Sequence, residues 1–402
     1  MQPQLRPLEM KWVVQNRQRL LMLRDPLRIT ENVAFLPPEV AYLLSFCDGQ
    51  RNAAQISAAL AVQTGLRLSR HHIEHVIQQL DDALMLDSPR FATAYHAAVD
   101  TYRNAPFRPP ALAGTSYPAD AEELKKLFDG YMNVLPPDLP SSPTGIRGVL
   151  SPHIDYQRGG PTYARVWHAA AAAARAAEVV VILGTDHAGR GGSMTLTRQQ
   201  YATPLGILPT ATDIVDAVEQ RVGSDIFDQE LHHRYEHSIE LAAVWLHYIR
   251  RGAAVSVLPV LVGSFHPFTH QDDSLANQRH FNEAIDSIRR MIADRPHLIV
   301  SAGDLAHVGP AFGDDEPLDA VAKSVLREHD DRVLAALCTG SADRFFELLH
   351  NERDGRRVCG LPPTYLALRL LDHGTGTVVA YDQCPADATG GSVVTVGGVV
   401  IA

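Results

Sequence analysis

The chain changes its hydrophobic rhythm about a quarter of the way along. Up to residue 90 the apolar positions recur at helical spacing. Leu36-Pro-Pro-Glu-Val-Ala-Tyr-Leu-Leu44 opens a helix with its prolines in the first turn. Asp48-Gly49 marks a turn, Ala53–Ala61 reads as a second helix, and Gly65 ends the stretch after it. Ser69 then caps a third helix whose apolar residues are Ile73, Val76, Ile77, Leu80 and Leu84. Met85 and Leu86 read as strand, stopped by Asp87-Ser88-Pro89. Short strands followed by helix, turn, helix, helix and strand form the pattern of a small winged helix.

Beyond residue 110 the rhythm becomes runs of continuous apolar residues bounded by Gly or Pro. Gly148–Leu150, Glu178–Leu183, Ala254–Val262 and His297–Val300 are such runs. Helical stretches separate them, at Ala164–Ala177, Asp213–Val222, His237–Arg250 and Asn282–Ala293. Apolar strands alternating with helices predict an α/β domain: a mostly parallel sheet with helices on both faces. Gly376–Tyr381 and Ser392–Ile401 read as adjoining strands, which makes the sheet mixed. Between the two rhythms lies Asn104-Ala-Pro-Phe-Arg-Pro-Pro-Ala111, read as a stiff linker. The division expected is therefore a winged helix over 1–103, a linker over 104–112 and an α/β domain over 113–402.

Charge follows the same division. Residues 1–110 hold twelve basic and ten acidic side chains, against 24 and 36 in the remainder, for a total of −10. That balance argues against a protein that coats nucleic acid or an anionic membrane. The helix after Ser69 carries one arginine against Glu74, Asp81 and Asp82, so it does not read as a DNA-recognition helix. No apolar run reaches the ~18 residues of a membrane span, and the N-terminus lacks a signal-peptide pattern. The four cysteines are scattered without Cys-x-x-Cys, which is the usage of reduced thiols and a cytoplasmic protein.

Nineteen histidines against four cysteines turn the search for chemistry toward imidazole. In α/β sheets ligands sit beyond the carboxyl ends of the strands. Three strand ends here deliver His153, the pair Asp186 and His187, and the pair Asp304 and His307; His237 begins a helix. A histidine after a strand can simply cap a loop carbonyl. Four at matching positions predict a shared site for a divalent transition metal. His71, His72 and His75 lack the His-Glu-x-x-His order and read as an exposed face. His232 and His233 read as loop surface, His247 as structural, and Cys359 as buried packing.

Seven blocks carry a further resemblance: Ala113-Gly-Thr-Ser-Tyr-Pro118, Ser151-Pro-His-Ile-Asp-Tyr156, Leu183-Gly-Thr-Asp-His187, Tyr201-Ala-Thr-Pro-Leu-Gly206, Glu236-His-Ser-Ile-Glu240, Leu258-Pro-Val-Leu-Val-Gly263 and Ser301-Ala-Gly-Asp-Leu-Ala-His307. In this order, over residues 108–402, the chain resembles the Memo-like family, also called AmmeMemoRadiSam system protein B. The resemblance implies a fold similar to class III extradiol dioxygenases, nonheme iron enzymes. It implies metal at His153 and His187, with His237 as base beside it, and leaves His237, Asp304 or His307 as a possible third ligand. The metal it implies is iron first, with copper or zinc as alternatives, and the partners are a radical SAM protein and an AMMECR-type protein. Some members complete the metal site with a cysteine; the matching position is read here as Ala306, while Cys359-Gly360 matches a family Cys-Gly pair. Residues 22–90 resemble a PqqD-like winged-helix module, which implies a peptide substrate there. Two functions follow: a dioxygenase-like metal enzyme, or a non-catalytic partner that recruits a peptide.

Overall fold

The computed structural model describes residues 2–402 apart from Asp138, 140–142, 271–274, 276 and 277. It falls into two compact units, Met1–Asn104 and Ala105–Ala402.

In the smaller unit a three-stranded antiparallel sheet precedes the helices. Its strands are β1 (Glu9–Gln15), β2 (Gln18–Arg24) and β3 (Ala34–Leu36), in that spatial order. Helices α1 (Pro38–Leu44), α2 (Ala53–Thr64), α3 (Arg70–Asp82) and α4 (Pro89–Asn104) follow. Ser69 accepts a hydrogen bond from the His72 amide and so caps α3, and Gly65 closes α2 in the left-handed conformation at φ 77°. Ile73, Val76, Ile77 and Leu80 turn one face of α3 onto Leu23, Leu43, Ile56 and Leu60. The strand expected at residues 85–86 is a single bridge between Leu5 and Leu86. Leu84 lies beyond α3 at φ 59°, so it ends the helix rather than continuing its apolar stripe.

The larger unit is α/β. Its elements are α5 (Ala121–Asn133), β4 (Gly148–Ser151), α6 (Tyr156–Ala169), α7 (Ala171–Ala176), β5 (Val179–Thr185), β6 (Met194–Leu196), β7 (Tyr201–Thr203), β8 (Gly206–Leu208), α8 (Thr212–Val222) and α9 (Ser238–Ile249). Then come β9 (Ser256–Val262), α10 (His266–His270), α11 (Arg279–Ile292), β10 (His297–Ala302), β11 (His307–Val308), α12 (Ala320–Cys338), α13 (Ala342–Asn351), α14 (Leu361–Leu371), β12 (Gly376–Pro385) and β13 (Val393–Ile401). The main sheet runs β11-β13-β4-β10-β5-β9-β6, with β12 on the far side of β13, and β7 and β8 form a separate hairpin.

Pairs β4–β10, β10–β5 and β5–β9 are parallel; β6, β11, β12 and β13 join antiparallel. The parallel strand β5 is buried along its whole length because helices cover both faces. Val179, Val181 and Leu183 pack toward α8, α11 and α14, while Val180 and Ile182 pack toward α6 and α9. Four parallel strands thus end on one edge, and the site is built above three of them, β4, β10 and β5.

The stretch expected to be a linker belongs to this unit. Arg108 is fully buried, donates to the carbonyls of His233 and Glu236, and pairs with Glu240 on α9. Glu240 also accepts from the amides of Ala111 and Leu112 and from the Tyr117 hydroxyl. A proline-rich composition suggested a spacer, whereas these hydrogen bonds fasten residues 105–117 against α9.

Candidate metal centre

The loops after β4, β5 and β10 and the first residue before α9 converge as the topology requires. The rings of His153, His187 and His237 lie with centroids 4.8–5.2 Å apart. His153 is 2% exposed, and its Nδ1 lies 3.1 Å from the Ala302 carbonyl. A carbonyl only accepts, so Nδ1 carries the proton and Nε2 is left bare. His187 and His237 each direct Nδ1 at Glu236, both at 3.0 Å. His307 directs Nδ1 at the Arg357 carbonyl, 3.1 Å away. All four imidazoles therefore have Nδ1 already held, the arrangement that fixes ring orientation in metal sites.

Glu236 has this role because of where α9 starts. Its carboxylate accepts from the amides of His187, His237 and Ser238 as well as from the two rings. Burial works against its charge, but the His187 and His237 imidazoles outweigh it and hold the carboxyl well below the usual range. Conversely, burial opposes a charged His187 while the Glu236 carboxylate overrides it and raises its pKa well above the ordinary value. His153 moves the other way: burial, then the neighbouring His187 and His237, push it well below.

Asp304 accepts from the amides of His153 and Ile154 through Oδ1 and so fixes the loop after β4. Burial raises its pKa and lowers that of His307. Asp186 turns away from the cluster and binds Nδ1 of His232 at 2.8 Å. His232 and His233 are thus not loop surface. His232 is nearly covered against Asp186, and His233 is fully buried between Tyr201 and the Thr195 carbonyl. His71, His72 and His75 do lie on an exposed face of α3, and His247 is buried between Thr203 and the Gly252 carbonyl.

The sulfur comes from Cys359. Its Sγ lies 3.1 Å from His153 Nε2, and one ring nitrogen each of His153 and His187 falls with it inside 4.8 Å. Ala306, the position read as lacking a cysteine, packs its methyl against Leu326 and Val393. Two glycines bring Cys359 in. A Cβ on Gly303 would sit 2.4 Å from Gly360 Cα, and one on Gly360 would sit 2.6 Å from the Asp304 carbonyl. Only glycine at both positions lets the loop after β10 touch the loop before α14. Gly360 then donates to the Asp304 carbonyl, and Thr185 donates to the Cys359 carbonyl. Burial raises the thiol's pKa, countered in part by His187.

Two imidazoles with oriented rings and one thiol are a fitting donor set for a divalent transition ion. His237 and Glu236 stand beside His187 within the same reach. A cavity of about 450 Å³ opens above the cluster, floored by His153, His187, His237, Asp304 and His307 and walled by Leu112, Leu241, Phe312 and Val394. Leu112 belongs to the segment fastened by Glu240. A second cavity of about 460 Å³ reaches His187 and Cys359 from another side, past Asp186 and Arg357.

Comparison with known proteins gives the family. A family model described as Memo-like protein matches residues 108–400. A MEMO1 family protein of Aquifex aeolicus is 27% identical over 91% of this chain and 93% of its own. One from Methanopyrus kandleri is 30% identical over 68% of this chain and 91% of its own, and one from Thermus thermophilus is 24% identical over 82% and 93%. The Aquifex match exceeds the length of the larger unit, so it extends into the N-terminal one.

Proposed function

The chain belongs to the Memo-like protein family, and from that premise we propose that its larger unit is a metal-dependent oxidoreductase with its ion at His153, His187 and Cys359. The observation that carries this reading is the set of imidazoles whose Nδ1 atoms are all engaged, gathered around one thiol. A bound ion, iron first with copper or zinc as alternatives, would supply Lewis acidity or electron transfer to a substrate oxygen.

The chain's own residues then do the following. His237, held at Nδ1 by Glu236, takes or returns a proton at Nε2 on the cavity floor. His307, held by the Arg357 carbonyl, is placed to do the same from the opposite loop. Asp304 keeps His153 in position through two amides. Leu112, Leu241, Phe312 and Val394 keep water from the reacting atoms. The proposed partners are a radical SAM protein and an AMMECR-type protein, to be sought by co-purification. Metal analysis of anaerobically purified protein tests the site: metal is expected in the wild type and reduced in His153→Ala. An unchanged content in that variant would refute the assignment.

One observation favours a second reading. Met10, Trp12 and Val14 alternate along edge strand β1 and are 54%, 42% and 78% exposed. An apolar edge strand suits addition of an extended peptide, so the chain would act as a non-catalytic recruiter of a peptide substrate. Retention of partner binding and of biological output by the metal-free His153→Ala/His187→Ala protein would select this reading over the first.

A further inference from the structure

Among the described residues, the two cavities that meet the metal centre share His187 and no other lining residue. The second, of about 460 Å³, is built mainly from segments the metal centre does not use: residues 264–270 after β9 and the turn at residues 353–358 before α14. Cys359 lines this cavity and not the one above the imidazoles.

The lining is divided by polarity. Phe265, Leu361 and Pro362 are apolar and buried. Arg353, His266 and His270 are exposed and line the same space. His266 and His270 stand one turn apart on α10 with their rings stacked at 4.0 Å, and a neutral imidazole carries one N–H donor. The two carboxylates of the lining are engaged, Asp186 by His232 Nδ1 and Asp354 by the Val358 amide. Arg357 is engaged by Asp314 and the His307 carbonyl, and Arg356 behind it by Asp330 and Glu352. Arg353 differs from both: among the described residues no carboxylate pairs with it.

The turn that presents Arg353 is strained. Arg353, Asp354 and Arg357 have φ of 50°, 45° and 54°, the left-handed region that side chains other than Asn and Asp seldom adopt. Such outliers cluster where a segment clamps a ligand. Here the turn sets one guanidinium on the wall of a cavity that also reaches a thiol.

We propose that this cavity binds a small monocarboxylate, with its carboxylate on the Arg353 guanidinium and a short apolar body on Phe265, Leu361 and Pro362, directed at Cys359. A planar guanidinium matches a carboxylate through two N–H donors. Asp354 in the same lining repels a phosphate dianion more than a monoanion, which favours the carboxylate. Binding does not need the ion, whereas a role for the carboxylate as second reactant at the metal centre rests on the reading of that centre given above.

Alkylation of metal-free full-length protein by iodoacetate, set against neutral iodoacetamide, tests this with Cys359 as reporter. In both reactions the thiolate forms a C–S bond as iodide leaves, so the reagents differ in charge. Peptide mass spectrometry reads labelling at Cys359 apart from Cys47, Cys338 and Cys384. The iodoacetate rate should saturate with concentration and fall when butyrate competes; the iodoacetamide rate should do neither. Arg353→Gln should slow iodoacetate at low concentration by about tenfold or more, the worth of a hydrogen bond to a charged group, and leave iodoacetamide unchanged. A linear iodoacetate rate in the wild type, or one unaltered in the variant, overturns the proposal. So does the absence of labelling by either reagent, because the cavity then does not lead to the thiol. If iodoacetamide also slows in Arg353→Gln, Arg353→Lys decides: recovered saturation supports the carboxylate site and its continued loss overturns it. The metal content of His153→Ala tests the metal centre separately from all of these outcomes.

Discussion

Changing Glu236 to Gln isolates what holds the imidazoles. The carboxylate accepts from five donors: three amides and the Nδ1 atoms of His187 and His237. A glutamine has one acceptor oxygen. If that oxygen stays at the start of α9, serving the His237 and Ser238 amides, the NH₂ group faces the His187 amide and ring, donor against donor. His187 is the ligand set loose. Loss of an outer partner of a metal-bound histidine costs about 10–100-fold in affinity, or about 1.4–2.7 kcal/mol.

The sign with pH adds a second test. Because Glu236 raises the pKa of His187, an ion entering the wild type must displace a proton from that ring as well as from Cys359. Without the carboxylate the ring holds that proton less tightly. Affinity should therefore climb less steeply with pH in the variant, and the two curves should converge toward low pH. Competition for zinc against a chromophoric chelator, from about pH 6 to about pH 8.5, measures both effects. Equal affinities throughout, or parallel curves with the same proton release, would refute the reasoning.

Cys359→Ser should weaken binding by more than the ~100-fold upper bound for an outer partner, whereas Ala306→Cys should leave affinity unchanged because that side chain packs among Leu326 and Val393; chelator competition checks both. Arg108→Met leaves Glu240 buried beside an apolar chain and should cost about 3–5 kcal/mol in urea unfolding. Arg108→Met/Glu240→Gln should recover part of that loss. His233 is fully buried, with burial pushing its pKa down to about 3. The unfolded chain binds its proton below about pH 6.5 while the folded chain refuses it, so stability falls as pH drops from about 6.5 to 3, by about 3–5 kcal/mol. His233→Gln should flatten that acid slope in urea midpoints taken across the window; an unchanged slope would assign the loss to other groups.

The start of α9 concentrates these effects. Its first amides have no partner within the helix, and the positive end of its dipole favours an anion. Glu236 meets both demands and then has capacity left for two imidazoles. Arg108 binds the Glu236 carbonyl, and Glu240 one turn along α9 receives Arg108 together with the amides of Ala111 and Leu112. One helix end therefore orients His187 and His237 and fastens the segment that walls the cavity. Substitutions at Arg108 should accordingly disturb metal affinity as well as stability, through Glu236.

The strands, their parallel core and the convergence of His153, His187, His237, Asp304 and His307 were legible because apolar period and strand-end position are local properties of a sequence. Residues 320–338 and 342–351 were not read as helices. In the first, charged residues interrupt the apolar spacing, as Arg327, Glu328, Asp330 and Asp331 do around Leu326 and Val333. Arg108 was misread for a related reason: proline content describes stiffness but not what a stiff segment lies against. Cys359 was the costliest omission, and its cause is geometric. A lone cysteine 172 residues after His187 in the chain carries no spacing signal. What places it is a backbone approach permitted only by Gly303 on one loop and Gly360 on the other. The glycine before Asp304 and the Cys-Gly pair were both visible, but each is intelligible only once the two loops are seen in contact. A metal ligand delivered by such an approach can be found in a sequence by asking which glycines must face each other, before asking which side chains do.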